Sequence, residues 1–157
     1  MIFKQTTLDL NGPILSFVSH PESIEADSND EAQFTGFATA TFPSQTPSNP
    51  AENSGTLSYR WYNDVYGALS DGQLLGATLT GTATTVLSIT GATSESLSGT
   101  KFYLTIDYTP SAYSQPVGSA VTEGTERSTP NAINDTLSSN SATLTIRPVI
   151  TIIQQPE

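Results

Sequence analysis

Glu31-Ala-Gln-Phe-Thr-Gly-Phe-Ala-Thr-Ala-Thr-Phe42 decides the fold. Ala32, Phe34, Gly36, Ala38, Ala40 and Phe42 fall on one side of an extended chain; Gln33, Thr35, Thr39 and Thr41 fall on the other, and only Phe37 breaks the alternation. An extended chain turns successive side chains to opposite faces, so this is a strand with one face on a core and one in water. The pattern returns in Leu57-Ser-Tyr-Arg-Trp-Tyr62, where Leu57, Tyr59 and Trp61 share a side. It returns in Thr85 to Ile89, with Leu87 and Ile89 inward, and in Thr100 to Tyr108, where Phe102, Leu104, Ile106 and Tyr108 oppose Tyr103, Thr105 and Asp107. Ala142, Leu144 and Ile146 close the series against Thr143 and Thr145.

Turn-forming residues separate these stretches: Pro43 to Gly55, Asn63 to Gly72, Gly91 to Gly99 and Thr109 to Asn140. No long segment carries an apolar stripe at the helical period; the best helical candidate is a single turn at Ser94 to Leu97. The expectation is an all-β chain of two packed antiparallel sheets, because a sheet must cover its apolar face with another layer.

Composition agrees. In 157 residues, Ser and Thr number 44 and charged residues only 13%, which suits hydroxyl-bearing outer sheet faces and disfavours helical bundles. Acidic residues outnumber basic ones 15 to 5, and Lys4, Arg60, Lys101, Arg127 and Arg147 are scattered, so no basic stripe exists to neutralise nucleic-acid phosphates. The chain has no cysteine, which removes disulfides, thiolate metal sites and thiol nucleophiles together. Residues 1–10 lack the charged start and long apolar run of a secretory signal, so synthesis in the cytoplasm without export by the general route is expected. No apolar run is long enough to insert into a membrane.

One internal likeness sets the expected organisation. Pro13-Ile-Leu-Ser-Phe-Val-Ser-His-Pro-Glu22 overlays Pro148-Val-Ile-Thr-Ile-Ile-Gln-Gln-Pro-Glu157, with both prolines and the glutamate identical and five conservative exchanges, at an offset of 135 residues. The expected division is an extension over 1–11, a sandwich domain over 12–147, and over 148–157 a link and the first strand of a second copy.

The order of features resembles an immunoglobulin-like domain without its disulfide. A first strand ends at Pro21, Gly36 stands where the second strand would carry a cysteine, and Tyr59-Arg-Trp-Tyr62 matches the strand that carries the buried tryptophan of that fold. Phe102 sits near the tyrosine-corner position, and Leu104 takes the place of the second cysteine. The expected core is Phe34, Gly36, Trp61, Leu87, Ile89, Phe102, Leu104 and Leu144, with Trp61 plugged between sheets and Gly36 opposite it leaving room for the indole. Departures are both missing cysteines, an extra residue at Lys101, and the long stretch between the last two strands.

Cysteine-free modules of this kind, in tandem, acidic and rich in Ser and Thr, resemble those of tailed-bacteriophage virion structural and fibre proteins. The resemblance implies a non-enzymatic component of the virion, assembled in the host cytoplasm, with other virion proteins as partners and homo-oligomers among the arrangements open to it. A host-surface glycan or protein is a further partner it allows. Ile2, Phe3, Leu8 and Leu10 are the candidate anchor to the particle, and Tyr113 and Arg127 mark the candidate binding loop, because long loops on a rigid sandwich are where binding usually resides. A secreted bacterial adhesin fragment and a carbohydrate-binding module stand as alternatives.

Catalytic groups are not expected. His20 is the single histidine and has no nucleophile-elbow serine to serve. The acidic residues fall mostly in turns. Asp27-Ser-Asn-Asp-Glu31 offers oxygen ligands of the kind calcium takes, with Asp135 as a further donor, but lacks the spacing of a helix–loop–helix site. A solvated turn is the competing account. No cofactor is expected.

Overall fold

The computed structural model describes residues 14–41, 55–110, 136–150 and 152. The chain enters on β1 (Ile14–Ser19), crosses at His20–Ser23, and continues as β2 (Ile24–Asp27). The alternating segment that decides the fold forms β3 (Ala32–Thr35) and β4 (Phe37–Thr41), divided only at Gly36. Then follow β5 (Gly55–Asn63), β6 (Gly67–Ala68), β7 (Gly72–Leu74), β8 (Ala77–Thr80), β9 (Val86–Thr90), β10 (Lys101–Pro110), β11 (Thr136–Ser138) and β12 (Ala142–Arg147).

One layer is built from β3-β9-β8-β7, extended past Gly36 by β4 with β1 on its edge. The other runs β2-β12-β10-β5-β6, with β11 lying on β10 ahead of β12. Among the described residues every ladder is antiparallel except one: β2 lies parallel to β12, Leu144 facing Ile24 and Arg147 facing Asp27. The all-antiparallel expectation is corrected there. Among the described residues the first strand divides between the two sheets at the buried Pro21, and its second half, β2, runs in the same direction as β12.

The expected inward faces turn inward where they are described, with Ala40, Leu57 and Tyr59 only partly buried and Phe42 outside the described residues. Phe34, Trp61, Leu87, Ile89, Phe102, Leu104 and Leu144 are 0% exposed and Gly36 is buried, while Phe37, the pattern-breaker, points to water. Phe34 stacks on Phe102 with centroids 5.0 Å apart and tilts against Trp61 at 6.2 Å. Removing side chains of this size from water contributes about 2–3 kcal/mol each, with aromatic pairing adding about 1. The indole N–H, which burial would otherwise leave without water, donates to the Thr84 carbonyl at 2.9 Å.

Gly36 does not serve the indole. A Cβ there would lie 3.0 Å from Leu104 Cδ2 and 3.6 Å from Pro21 Cδ, so the small residue makes room for Leu104. Alternation tells which face a residue takes, not which side chain crosses to meet it.

Between Gly72 and Thr80, β7 and β8 form a hairpin closed by Leu75 and Gly76, both at positive φ (49° and 84°), which is a two-residue turn whose twist matches its strands. It brings Ala77 and Leu79 into the core. Asn63 organises the turn before β6: Oδ1 accepts the N–H groups of Val65 and Tyr66, and Nδ2 donates to Thr100 Oγ1 at 2.9 Å. Ser94–Leu97 forms hydrogen-bonded turns rather than a helix, and Leu97 is fully buried beneath them.

Candidate functional site

Strand directions place the start of β1, the entry pole, and the end of β12, the exit, at opposite ends of the sandwich. Ile14 pairs with Thr41 at the end of β4, and Gly55 pairs with Pro110 at the end of β10. The start of β1, the end of β4, the start of β5 and the end of β10 therefore lie at one pole. β12 runs antiparallel to β10 and delivers Arg147 to the other pole. The candidate anchor Ile2, Phe3, Leu8 and Leu10, the candidate loop residues Tyr113 and Arg127, and Asp135 lie outside the described residues.

The exit is held from several directions. The Arg147 carbonyl accepts the Ser28 N–H at 3.0 Å and the Ser28 hydroxyl at 3.1 Å, and its guanidinium Nε pairs with Asp27 Oδ1 at 3.0 Å. Pro148 follows at once and disfavours helical backbone at Arg147. Beyond it Val149, Ile150 and Ile152 are exposed. Asp27 is thus the end of a strand rather than part of a free turn. Asn29, at φ 71°, makes the turn itself, its N–H donating to the Ala92 carbonyl.

The remaining chemistry-bearing groups act as local ties. His20 stacks on Phe17 with centroids 5.2 Å apart, and its Nδ1 accepts the Asn140 N–H at 3.1 Å. It borders an open groove of about 380 Å³ lined by Ser19, Glu22, Ser23, Ile24, Gln33 and Thr35, where Ser23 Oγ accepts the Thr143 N–H. Asp71 Oδ1 accepts both the hydroxyl and the N–H of Thr82, and these bonds hold its carboxyl below the usual range. Glu31 is lowered in the same sense by Gln33 and Ser88, whose side chains donate to Oε1 at 2.8 Å. Asp64 accepts the Lys101 N–H, and Asp107 the Thr136 hydroxyl. Among the described residues no three His, Asp or Glu side chains converge as a metal site would require.

On the outer face of the larger sheet, Tyr62 and Tyr103 stack across β5 and β10 with centroids 5.4 Å apart and planes within 12°. Beside them Thr105 and Ser138 hydroxyls bond at 3.0 Å, and Arg60 donates to the Leu69 carbonyl at 2.9 Å. Sequence reasoning passed over this pair. Both tyrosines sit one step from an inward residue, but only the register of β5 on β10 sets them opposite each other.

No protein-family model and no curated protein matches the chain. Solved structures do. The three N-terminal domains of the Highly Immunogenic Outer Capsid protein (Hoc) of bacteriophage RB49 match with a TM-score of 0.53 at 12% identity, over 85% of this chain and 40% of that one. Duf (Kirre) D1 matches at 0.48 and 10% identity, over 87% and 99%. The titin domains Z1Z2, solved in complex with telethonin, match at 0.46 and 15%, over 88% and 50%. Likeness at such identities speaks for fold alone. With the sheet order and the buried tryptophan, the architecture is a cysteine-free immunoglobulin-like β-sandwich.

Proposed function

We propose that this sandwich is a non-enzymatic structural module of a tailed-bacteriophage particle, a rigid unit that sets out or decorates a surface and carries contacts at its poles. The observation that carries the proposal is the placement of entry and exit at opposite ends, with the exit tied down by Asp27 and Ser28. A unit threaded end to end transmits position along a chain; a catalyst has no need of that geometry. A net charge of −10 keeps a β-rich chain soluble.

In this proposal the partners are other virion proteins, reached through Ile2, Phe3, Leu8 and Leu10, and a host-surface glycan or protein reached through the loop bearing Tyr113 and Arg127. The protein is assembled in the host cytoplasm and resides on the virion. Many weak contacts from repeated copies on one particle add up to firm attachment.

Purified particles provide the test. Mass spectrometry of gradient-purified virions is expected to recover this chain at a fixed copy number, and cryo-microscopy to place its entry pole against the particle. Recovery only from bacterial envelopes or culture medium overturns the virion assignment in favour of an adhesin.

A further inference from the structure

His20 lies at the crossing where the chain leaves β1, on the edge of one layer, for β2, on the edge of the other. Its Nδ1 accepts the Asn140 N–H at 3.1 Å. A backbone N–H can only donate, so the ring that meets it is neutral, with its proton on Nε2. An imidazolium carries a proton on both nitrogens and sets donor against donor. The bond therefore belongs to one charge state of a side chain that is exposed to the water supplying the proton.

The two sides of this bond are unequally held. Ser139, beside Asn140, donates its N–H to the Leu104 carbonyl at 2.8 Å, and its hydroxyl accepts the Leu104 N–H at 2.9 Å. The corner between β11 and β12 is thus fixed to β10 without His20. The crossing has less support: the register of β1 on β4 shifts between Phe17 and Ser19, and beyond His20 the Ser23 hydroxyl accepts the Thr143 N–H at 3.0 Å. Phe17 gives the ring a seat in either charge state, because a stack at 5.2 Å holds a neutral imidazole and attracts a charged one. Of ionisable groups, the crossing brings Glu22 to the adjoining groove. From β3 comes Gln33, whose amide donates to Glu31 Oε1 at 2.8 Å. β1, β4 and the corner at 138–141 bring none.

We propose that His20 is an acid-released clasp between the two layers. Neutral, it fastens the β1–β2 crossing to the β11–β12 corner; protonated, it lets the crossing go and widens the groove of about 380 Å³ that it borders, while the corner stays on β10. The core beneath is untouched, since the ring lies outside it. This does not rest on the virion assignment, which is decided on particles.

Amide NMR on the purified chain tests it. His20 is the single histidine, and Asp71 and Glu31 are held below the usual carboxylate range, so between about pH 8 and about pH 5.5 the imidazole is the side chain that changes charge. Over that range the Asn140 amide is expected to titrate with the ring and to lose about tenfold or more of its exchange protection, corrected for the intrinsic rate, while the Leu104 amide keeps its own. His20→Asn puts an uncharged Oδ1 where Nδ1 stands and is expected to hold the tie at both ends of the range. His20→Phe keeps an aromatic ring on Phe17 without an acceptor and is expected to leave Asn140 unprotected at both. An Asn140 amide that ignores the ring's titration overturns the proposal, and so does a response that persists in His20→Asn. Loss of Leu104 protection together with that of Asn140 overturns it too, since the body would then be unfolding rather than one clasp opening.

Discussion

Leu104 occupies the space that a side chain on Gly36 would need, its Cδ2 lying 3.0 Å from where a Cβ would stand. These are the two positions that the resemblance to an immunoglobulin-like domain sets against its bridging cysteines. Here one leucine reaches across from β10 toward a bare backbone on the opposing layer, replacing a covalent link by packing. Gly36 is not at positive φ, so the demand for glycine comes from this approach and not from backbone conformation.

Gly36→Ala is therefore expected to cost about 1–3 kcal/mol through overpacking. Leu104→Ala is expected to cost about 2–5 kcal/mol through the cavity left behind. The diagnostic result is their coupling. In the Leu104→Ala background the alanine at 36 should cost far less, because the clashing methyl is gone. Urea titrations of the four chains measure this, and strict additivity would show that the two residues do not compete for one space.

Trp61 is the single tryptophan and is fully buried. Its fluorescence is expected to be blue-shifted in the native chain, moving to the emission of hydrated indole in one step on unfolding. Trp61→Phe fills part of the volume but leaves the Thr84 carbonyl without its donor, at a cost of about 1–3 kcal/mol from that group alone. A red-shifted native emission would contradict the plug between sheets.

Asp71 ties β7 to the turn before β9 through Thr82, and its carboxyl is lowered in the folded chain by those bonds. A group lowered on folding contributes stability that is present above its unfolded value, about 4, and lost as pH falls through its folded value. Asp71→Asn should flatten that part of the acid-side decline, leaving Glu31, lowered in the same direction by Gln33 and Ser88, as a second contributor. Melting midpoints of both chains across the acid range check this. Parallel profiles would show that Asp71 plays no part.

Arg147 and Asp27 remain 59% and 52% exposed despite their 3.0 Å contact, so water screens the pair. Arg147→Ala is expected to lower stability by only about 0.2–1 kcal/mol, with the loss shrinking further in high salt. The Ser28 bonds to the Arg147 backbone survive that change, so exchange protection of β12 should persist. A loss beyond about 2 kcal/mol would mean the ion pair does more than surface charges normally do.

The long strands were legible because half-burial writes itself into alternation; β5, β9, β10 and β12 stand where Trp61, Leu87, Leu104 and Leu144 placed them. What escaped lacked a local signal. β2 is four residues, Ile-Glu-Ala-Asp, and it exists because β12, some 120 residues away, offers an edge. The β7–β8 hairpin escaped because Leu75 stands where such turns ordinarily carry Asn, Asp or Gly. Of the functional residues, His20 proved to be a structural tie between β1 and the approach to β12. The Tyr62–Tyr103 stack was invisible until the register of β5 against β10 was known, since neither tyrosine is remarkable alone.

The parallel ladder between β2 and β12 has a mechanical consequence. A pull along the chain draws β2 backward from its start and β12 forward from its end, so the two slide past one another under shear. Bonds loaded that way must give together rather than unzip singly, so the seam at Ile24–Asp27 is built to resist stretching.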